Sequence, residues 1–267
     1  GMAPPPPSSI LVYVGFDRIG DGLLKLPFVR GLRGAFPDAR ITWLAGRETS
    51  VYAGVMAELA DGQIDEVIEN AGIGLSPWEL LRGISEPSLK GRRFDLVIDT
   101  QRIFWTSLSL YRVPHEIFIS QAARFLLSSR KPEKGYRFPK TMQRQLLDLL
   151  ELASGQKFPT PETLELDLKT ELLDAAARLL PAGPDYIGFG PGSGGPPKCW
   201  PLENFIALAK LQTQQGRAPV FLLGPKEADW LDAIRTAVPG GLFPLQDDAV
   251  QAQFGYSPML ANALSKR

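Results

Sequence analysis

Ile10-Leu11-Val12-Tyr13-Val14-Gly15 is a short apolar, β-rich run that stops at a glycine. A segment with helical spacing follows from about Gly20 to Phe36, where Pro37-Asp38 ends it. This reads as strand, loop, helix, and the alternation repeats. Arg40 to Ala45 reads as strand, Ser50 to Leu59 as helix, Ile64 to Ile68 as strand, Trp78 to Leu89 as helix and Phe94 to Ile98 as strand. Such βαβ alternation predicts an α/β fold with a parallel, doubly wound sheet. Ligands meet that fold at loops beyond the carboxyl ends of its strands, here Gly15 to Asp21, Gly46 to Thr49 and Asp99 to Trp105.

Farther along, Arg124, Arg130, Lys131, Lys134, Arg137, Lys140 and Arg144 are opposed only by Glu133. A helix from about Lys140 to Ala153 follows, and Phe158-Pro159-Thr160-Pro161-Glu162 opens a polar run to Lys169 that reads as an interdomain linker. The boundary is expected near 165, giving domains over residues 1–165 and 166–267. The second half repeats the alternation: helix Glu171 to Leu180, strand Tyr186 to Phe189, loop Gly190 to Lys198, helix Leu202 to Gln214, strand Pro219 to Leu223, helix Glu227 to Val238, strand Gly241 to Pro244 and a helix-like Ser257 to Lys266. With so few elements its sheet is expected to be small and incomplete.

Composition narrows the function classes. Lys plus Arg and Asp plus Glu both number 29, so the chain has no net charge, which argues against a general nucleic-acid binder. One cysteine, Cys199, cannot form an internal disulfide, and one histidine, His115, cannot build a His-rich metal site, which suits a reducing compartment. Gly1 before Met2 reads as a remnant. Neither a basic, then apolar, leader nor an apolar run of membrane-spanning length is visible, so the expectation is a cytoplasmic protein.

The loop Gly190-Pro191-Gly192-Ser193-Gly194-Gly195-Pro196-Pro197-Lys198 is the most informative stretch, because glycines after a strand leave backbone amides open to phosphate. Gly190, Gly192 and Gly195 spell a dinucleotide fingerprint, but Pro196-Pro197 follow where the helix should begin, so a nicotinamide site is a weak reading. What the loop offers is one hydroxyl, Ser193, and one ammonium, Lys198, ahead of a helix: a diphosphate clamp, or a plain turn with a surface lysine. Asp21, at the start of the first helix, reads either as a helix cap or as a general base. Asp17 and Arg18 in the same loop are undecided. There is no D-x-D pair, C-x-x-C, H-E-x-x-H or G-x-S-x-G, so a bound diphosphate is expected to be neutralised without metal or other cofactor.

Taken together, the run Ile10 to Pro27 with Asp21 inside it, Phe94-Asp95-Leu96-Val97-Ile98-Asp99-Thr100-Gln101, Gly190-Pro191-Gly192-Ser193, Pro197-Lys198-Cys199-Trp200-Pro201 and Phe221-Leu222-Leu223-Gly224-Pro225-Lys226-Glu227 resemble, in order, the motifs of the heptosyltransferases, the family 9 glycosyltransferases. That resemblance implies two Rossmann-like domains facing a cleft, the GT-B arrangement, with an acceptor-side N-terminal domain and a donor domain. It also implies inverting, metal-independent transfer of a heptose-like sugar from a nucleotide diphosphate, ADP in the best-known members, to a lipopolysaccharide-core acceptor. By position Asp21 is similar to the family's base, Ser193 and Lys198 with Gly192 and Gly194 to its diphosphate contacts, and Glu227 to its ribose-side acid. Arg18, Gln101, Arg130, Lys131, Lys134 and Arg137 are then candidates for holding an anionic glycolipid at the cytoplasmic face of the inner membrane. The family carries a further glycine-containing loop beyond a helix resembling Ser257 to Lys266, which the sequence does not reach. The alternative is therefore a truncated or degenerate, non-catalytic relative acting as a binding or accessory protein.

Overall fold

The architecture is described from a computed structural model over residues 5–267; the Gly1-Met2 start lies outside the described residues. Two compact units emerge, one ending at Leu164 and the other running Glu165–Arg267.

In the first unit, β1 (Ser9–Val14), β2 (Arg40–Ala45), β3 (Glu66–Ile68), β4 (Phe94–Asp99) and β5 (His115–Ser120) form one parallel sheet in the order β3-β2-β1-β4-β5. β1 pairs with β2 from Ser9 against Arg40 to Val14 against Ala45, and with β4 from Ile10 against Leu96 to Tyr13 against Asp99. The order reverses at β1, so the crevice of this doubly wound sheet opens beyond the carboxyl ends of β1 and β4. Both faces are covered. Leu11, Tyr13, Leu44, Val97 and Phe118 pack on one side with Leu110 of α3 (Phe104–Tyr111). On the other, Trp43 meets Phe28 of α1 (Ile19–Ala35) with ring centres 6.3 Å apart. α1 also packs on α4 (Met142–Ser154), whose Leu146, Leu147, Leu149 and Leu150 are buried. Each such side chain contributes about 1.5–3 kcal/mol of hydrophobic stabilisation. Pro27 sits inside α1 without interrupting it.

Several expected elements change. The helix expected over Ser50 to Leu59 is a 3-10 turn, Val51–Ala53, and a single α-turn, α2 (Ala57–Ala60), because the backbone at Gly54 leaves helical geometry. The helix expected over Trp78 to Leu89 is two 3-10 turns, Pro77–Leu81 and Pro87–Leu89, because the backbone becomes extended at Arg82 and Pro87, which cannot donate to a helical ladder, opens a separate turn. The loop after β4 is short and runs into α3 and then β5, two elements that the sequence reading lacks.

The second unit pairs β6 (Tyr186–Phe189) with β7 (Ala218–Phe221) in parallel. The strand expected at Gly241 to Pro244 contributes one bridge, Val220 to Leu242. Around this small sheet lie α5 (Thr170–Leu179), α6 (Leu202–Gln214), α7 (Leu231–Ala237), α8 (Asp248–Phe254) and α9 (Pro258–Leu264). α8 has no counterpart in the sequence reading, and the helix expected from Glu227 starts instead as a 3-10 turn, Pro225–Trp230. The rings of Phe189, Phe221 and Phe243 stack in series, 5.1 and 5.5 Å apart, and form the middle of the core. Among the described residues no helix is long and apolar enough to cross a membrane.

Candidate functional site

Beyond β1 the chain turns at Phe16-Asp17-Arg18 before α1. Asp17 is the buried anchor of this turn. Its carboxylate pairs with the Lys25 ammonium and accepts hydrogen bonds from Trp43 Nε1 at 2.7 Å and Ser50 Oγ at 2.9 Å, while its own N–H donates to Thr49 O at 3.1 Å. A buried charge is tolerable only when paired and hydrogen-bonded in this way. Asp17 is therefore structural, and it fixes the entry of the chain into α1. Arg18 is exposed, with its guanidinium over the Phe16 ring at 5.4 Å, and Arg47 lies over the same ring at 5.5 Å.

Asp21 is the third residue of α1 and is half-buried. Its Oδ2 accepts the Arg18 N–H at 3.1 Å, so it caps the helix. The capping reading of Asp21 is thus realised, and the geometry is equally open to the base reading, because a cap uses one carboxylate oxygen.

At the end of β4, Asp99 is fully buried. It accepts hydrogen bonds from the Ser107 hydroxyl, from Ser120 Oγ at 2.8 Å and from the Gln101 N–H at 2.9 Å. Burial outweighs those bonds and pushes its carboxyl up to about 6. Thr100 Oγ1 donates to Tyr13 O at 2.7 Å and ties the ends of β4 and β1 together. A Cβ at Gly15 would sit 3.3 Å from the Arg47 guanidinium and 3.6 Å from Gln101 Oε1, so these two side chains close over Gly15 at the point where the strand order reverses. Arg18, Arg47 and Gln101 thus gather at the sheet's carboxyl edge. Arg47 escaped the sequence reading, although it follows Gly46 within one of the three loops singled out there.

The basic stretch divides by use. Arg130 donates to Leu152 O at 3.1 Å and Ala153 O at 2.5 Å, capping the end of α4, and Arg144 pairs with Asp148 and Glu151, both at 2.8 Å. Lys131, Lys134 and Arg137 are exposed, and the two lysines line a groove with Tyr136, Asp148, Glu151 and Lys157. Arg102, also missed from sequence, stacks over Phe138 at 4.3 Å.

In the second unit the loop after β6 meets the turn after β7. The Glu227 carboxylate is nearly buried and accepts the Gly224 N–H at 2.9 Å. A Cβ at Gly192 would come within 2.5 Å of its carboxyl carbon, so any side chain there would have to displace Glu227. The structure therefore brings Gly192 and Glu227 together. Ser193, Gly194 and Lys198 are exposed on the same loop, with the Lys198 N–H bonded to Gly195 O at 3.0 Å. Among the described residues, no group of three or more His, Cys, Asp or Glu side chains is arranged to hold a metal ion.

Solved structures share this fold. The solved structure of a family 9 glycosyl transferase from Veillonella parvula superposes with a TM-score of 0.60 at 22% identity, covering 86% of this chain and 67% of that one. ADP-heptose lipopolysaccharide heptosyltransferase II of E. coli gives 0.59 at 21%, over 96% and 76%. The E. coli heptosyltransferase WaaC, solved with ADP, gives 0.57 at 18%, over 88% and 73%. At such identities the likeness is one of fold. A search of curated proteins gives no match. The sequence model described as glycosyltransferase family 9 (heptosyltransferase) matches residues 86–243, a span that holds Gln101, the basic stretch, the Gly190 to Lys198 loop and Glu227, and that begins after Asp21. The chain belongs to glycosyltransferase family 9, the heptosyltransferases.

Proposed function

We propose that this protein transfers a heptose-like sugar, with inversion and without a metal ion, from an ADP-linked donor to a hydroxyl of an anionic glycolipid of the lipopolysaccharide-core type at the cytoplasmic face of the inner membrane. The observation that carries this reading is the seating of Glu227 against Gly192, within the span the family model matches. That contact holds the glycine-rich loop in one shape, with Ser193 and Lys198 exposed to a ligand. In this reading the loop amides and the Lys198 ammonium offset the charge that develops on the departing diphosphate, and Glu227 faces the donor's ribose.

Asp21 takes the proton of the attacking hydroxyl. Its place in the first turn of α1 sets this carboxylate just beyond the carboxyl end of β1. Arg18, Arg47 and Gln101 orient the acceptor beside it, and Lys131, Lys134 and Arg137 attract its negative charge. A general base contributes roughly 10² to 10⁴ in rate. Asp21→Asn should therefore lower sugar transfer by at least about a hundredfold while ADP affinity stays within about twofold of wild type. Near-normal turnover in that variant would remove Asp21 from the base role.

A further inference from the structure

Among the described residues, the three most exposed large apolar side chains lie in one short segment: Leu75 is 62% exposed, Trp78 74% and Leu81 80%. Trp78 and Leu81 are three residues apart in the 3-10 turn Pro77–Leu81, a spacing that places them on the same side, and Leu75 lines a groove together with Trp78. Leaving this much apolar surface in water is unfavourable, yet the segment is firmly held. The Glu79 carboxylate accepts the N–H groups of Gly74 at 2.7 Å and Leu75 at 3.1 Å, and Ser76 Oγ accepts the Trp78 N–H at 3.2 Å. From the other side the Arg112 guanidinium donates to the carbonyls of Glu79 at 3.1 Å, Leu80 at 3.4 Å and Arg82. Six backbone polar groups of the segment are thus bonded to side chains of the protein, while the three large apolar side chains are exposed.

Cations surround that tip. Arg82 lines one groove with Trp78 and Arg112, and an adjoining groove that shares Gly83, Ile84 and Arg112 reaches Lys90. Arg82, Lys90 and Arg93 are exposed, whereas the two acids of the segment are engaged, Glu79 as above and Glu86 with the Ser88 N–H. We propose that the Leu75–Trp78–Leu81 tip inserts into the headgroup region of a bilayer containing anionic lipid, with Arg82 and Lys90 resting on its phosphates. An indole with apolar neighbours and flanking bases is the residue set that favours this interface. The inference deepens the proposed function by naming the surface that brings the enzyme to a glycolipid. It assigns membrane contact to this tip rather than to the Arg124 to Arg144 stretch.

Flotation of the full chain with equimolar phosphatidylcholine–phosphatidylglycerol vesicles, which hold neither donor nor acceptor, tests it independently of sugar transfer. Wild type should bind, more weakly in high salt and on phosphatidylcholine alone. The double variant Trp78→Ser/Leu81→Ser should bind at least about tenfold more weakly, since each side chain loses its apolar burial. Trp78→Leu should retain most of the binding, and Leu126→Ser, at a 60% exposed site elsewhere, should match wild type. Far-UV circular dichroism confirms that the variants are folded. Absence of wild-type binding, or equal binding by the double variant, would overturn the proposal. So would sedimentation showing a dimer that the double variant loses, because the tip would then be a contact between copies.

Discussion

The two units use the same strand–loop–helix plan, yet they secure their loops in opposite ways. In the first, the turn after β1 and the end of β4 are fixed by buried carboxylates: Asp17 takes a lysine, an indole and a hydroxyl, and Asp99 takes two serines and an amide. In the second, the glycine-rich loop is held against one side chain, Glu227, and its polar residues are exposed. A parallel sheet covered on both faces can enclose charged groups at its strand ends when they are paired and hydrogen-bonded. The lesson is that the loops of the first unit are preformed by its core, whereas the glycine-rich loop of the second depends on a local contact.

The largest effect expected from this contrast is at Asp17. Asp17→Ala leaves the buried Lys25 ammonium without its partner and should cost about 3–5 kcal/mol in urea unfolding. A loss below about 1 kcal/mol would deny the anchor its role.

Next is Asp99. Its folded-state value of about 6 lies above the ordinary 3.8, so the folded protein holds a proton that the unfolded chain releases. The stabilisation is complete below about pH 4 and is lost as pH rises through 6, a fall of at most about 3 kcal/mol. Unfolding free energies of wild type and Asp99→Asn across pH 4 to 7 should differ by that slope, whereas parallel curves would place Asp99 in a solvated setting.

Smaller still is Gly192→Ala, whose methyl group must displace Glu227. It should destabilise by about 1–3 kcal/mol and weaken ADP binding, read by urea unfolding and calorimetry. An unaffected ADP affinity would separate the loop from the donor site.

Much of the fold is legible because burial writes itself into short runs. Ile10 to Val14 and Arg40 to Ala45 are apolar almost throughout, and both are strands as read. β5 is hidden because it opens with His115-Glu116 directly after Pro114, and only Phe118, Ile119 and Ser120 are buried. The two failed helices carry helical spacing, but the backbone leaves helical geometry at Gly54 and at Arg82 before the ladder can propagate. At the candidate site, glycine and charge at strand ends point to loops that the structure places beyond the carboxyl ends of the strands. The division of labour within them is not readable, because the burial that makes Asp17 an anchor and shifts Asp99 exists only once Trp43, Ser50, Ser107 and Ser120 have converged from distant positions. Arg130 shows the same limit in reverse: a base within a basic run, it is engaged at the carbonyls ending α4.

The central claim, that this chain holds the nucleotide of a sugar donor, is tested most directly by thermal unfolding with ADP, UDP, GDP or NAD at millimolar concentration, on wild type and on Lys198→Ala. A ligand at a hundredfold excess over its dissociation constant adds about 2.7 kcal/mol of stability. The account predicts a selective rise of the midpoint with ADP and a smaller rise in the exposed-lysine variant, with equal midpoints for both proteins in the absence of nucleotide. No shift with ADP, or a shift with NAD alone, would contradict it.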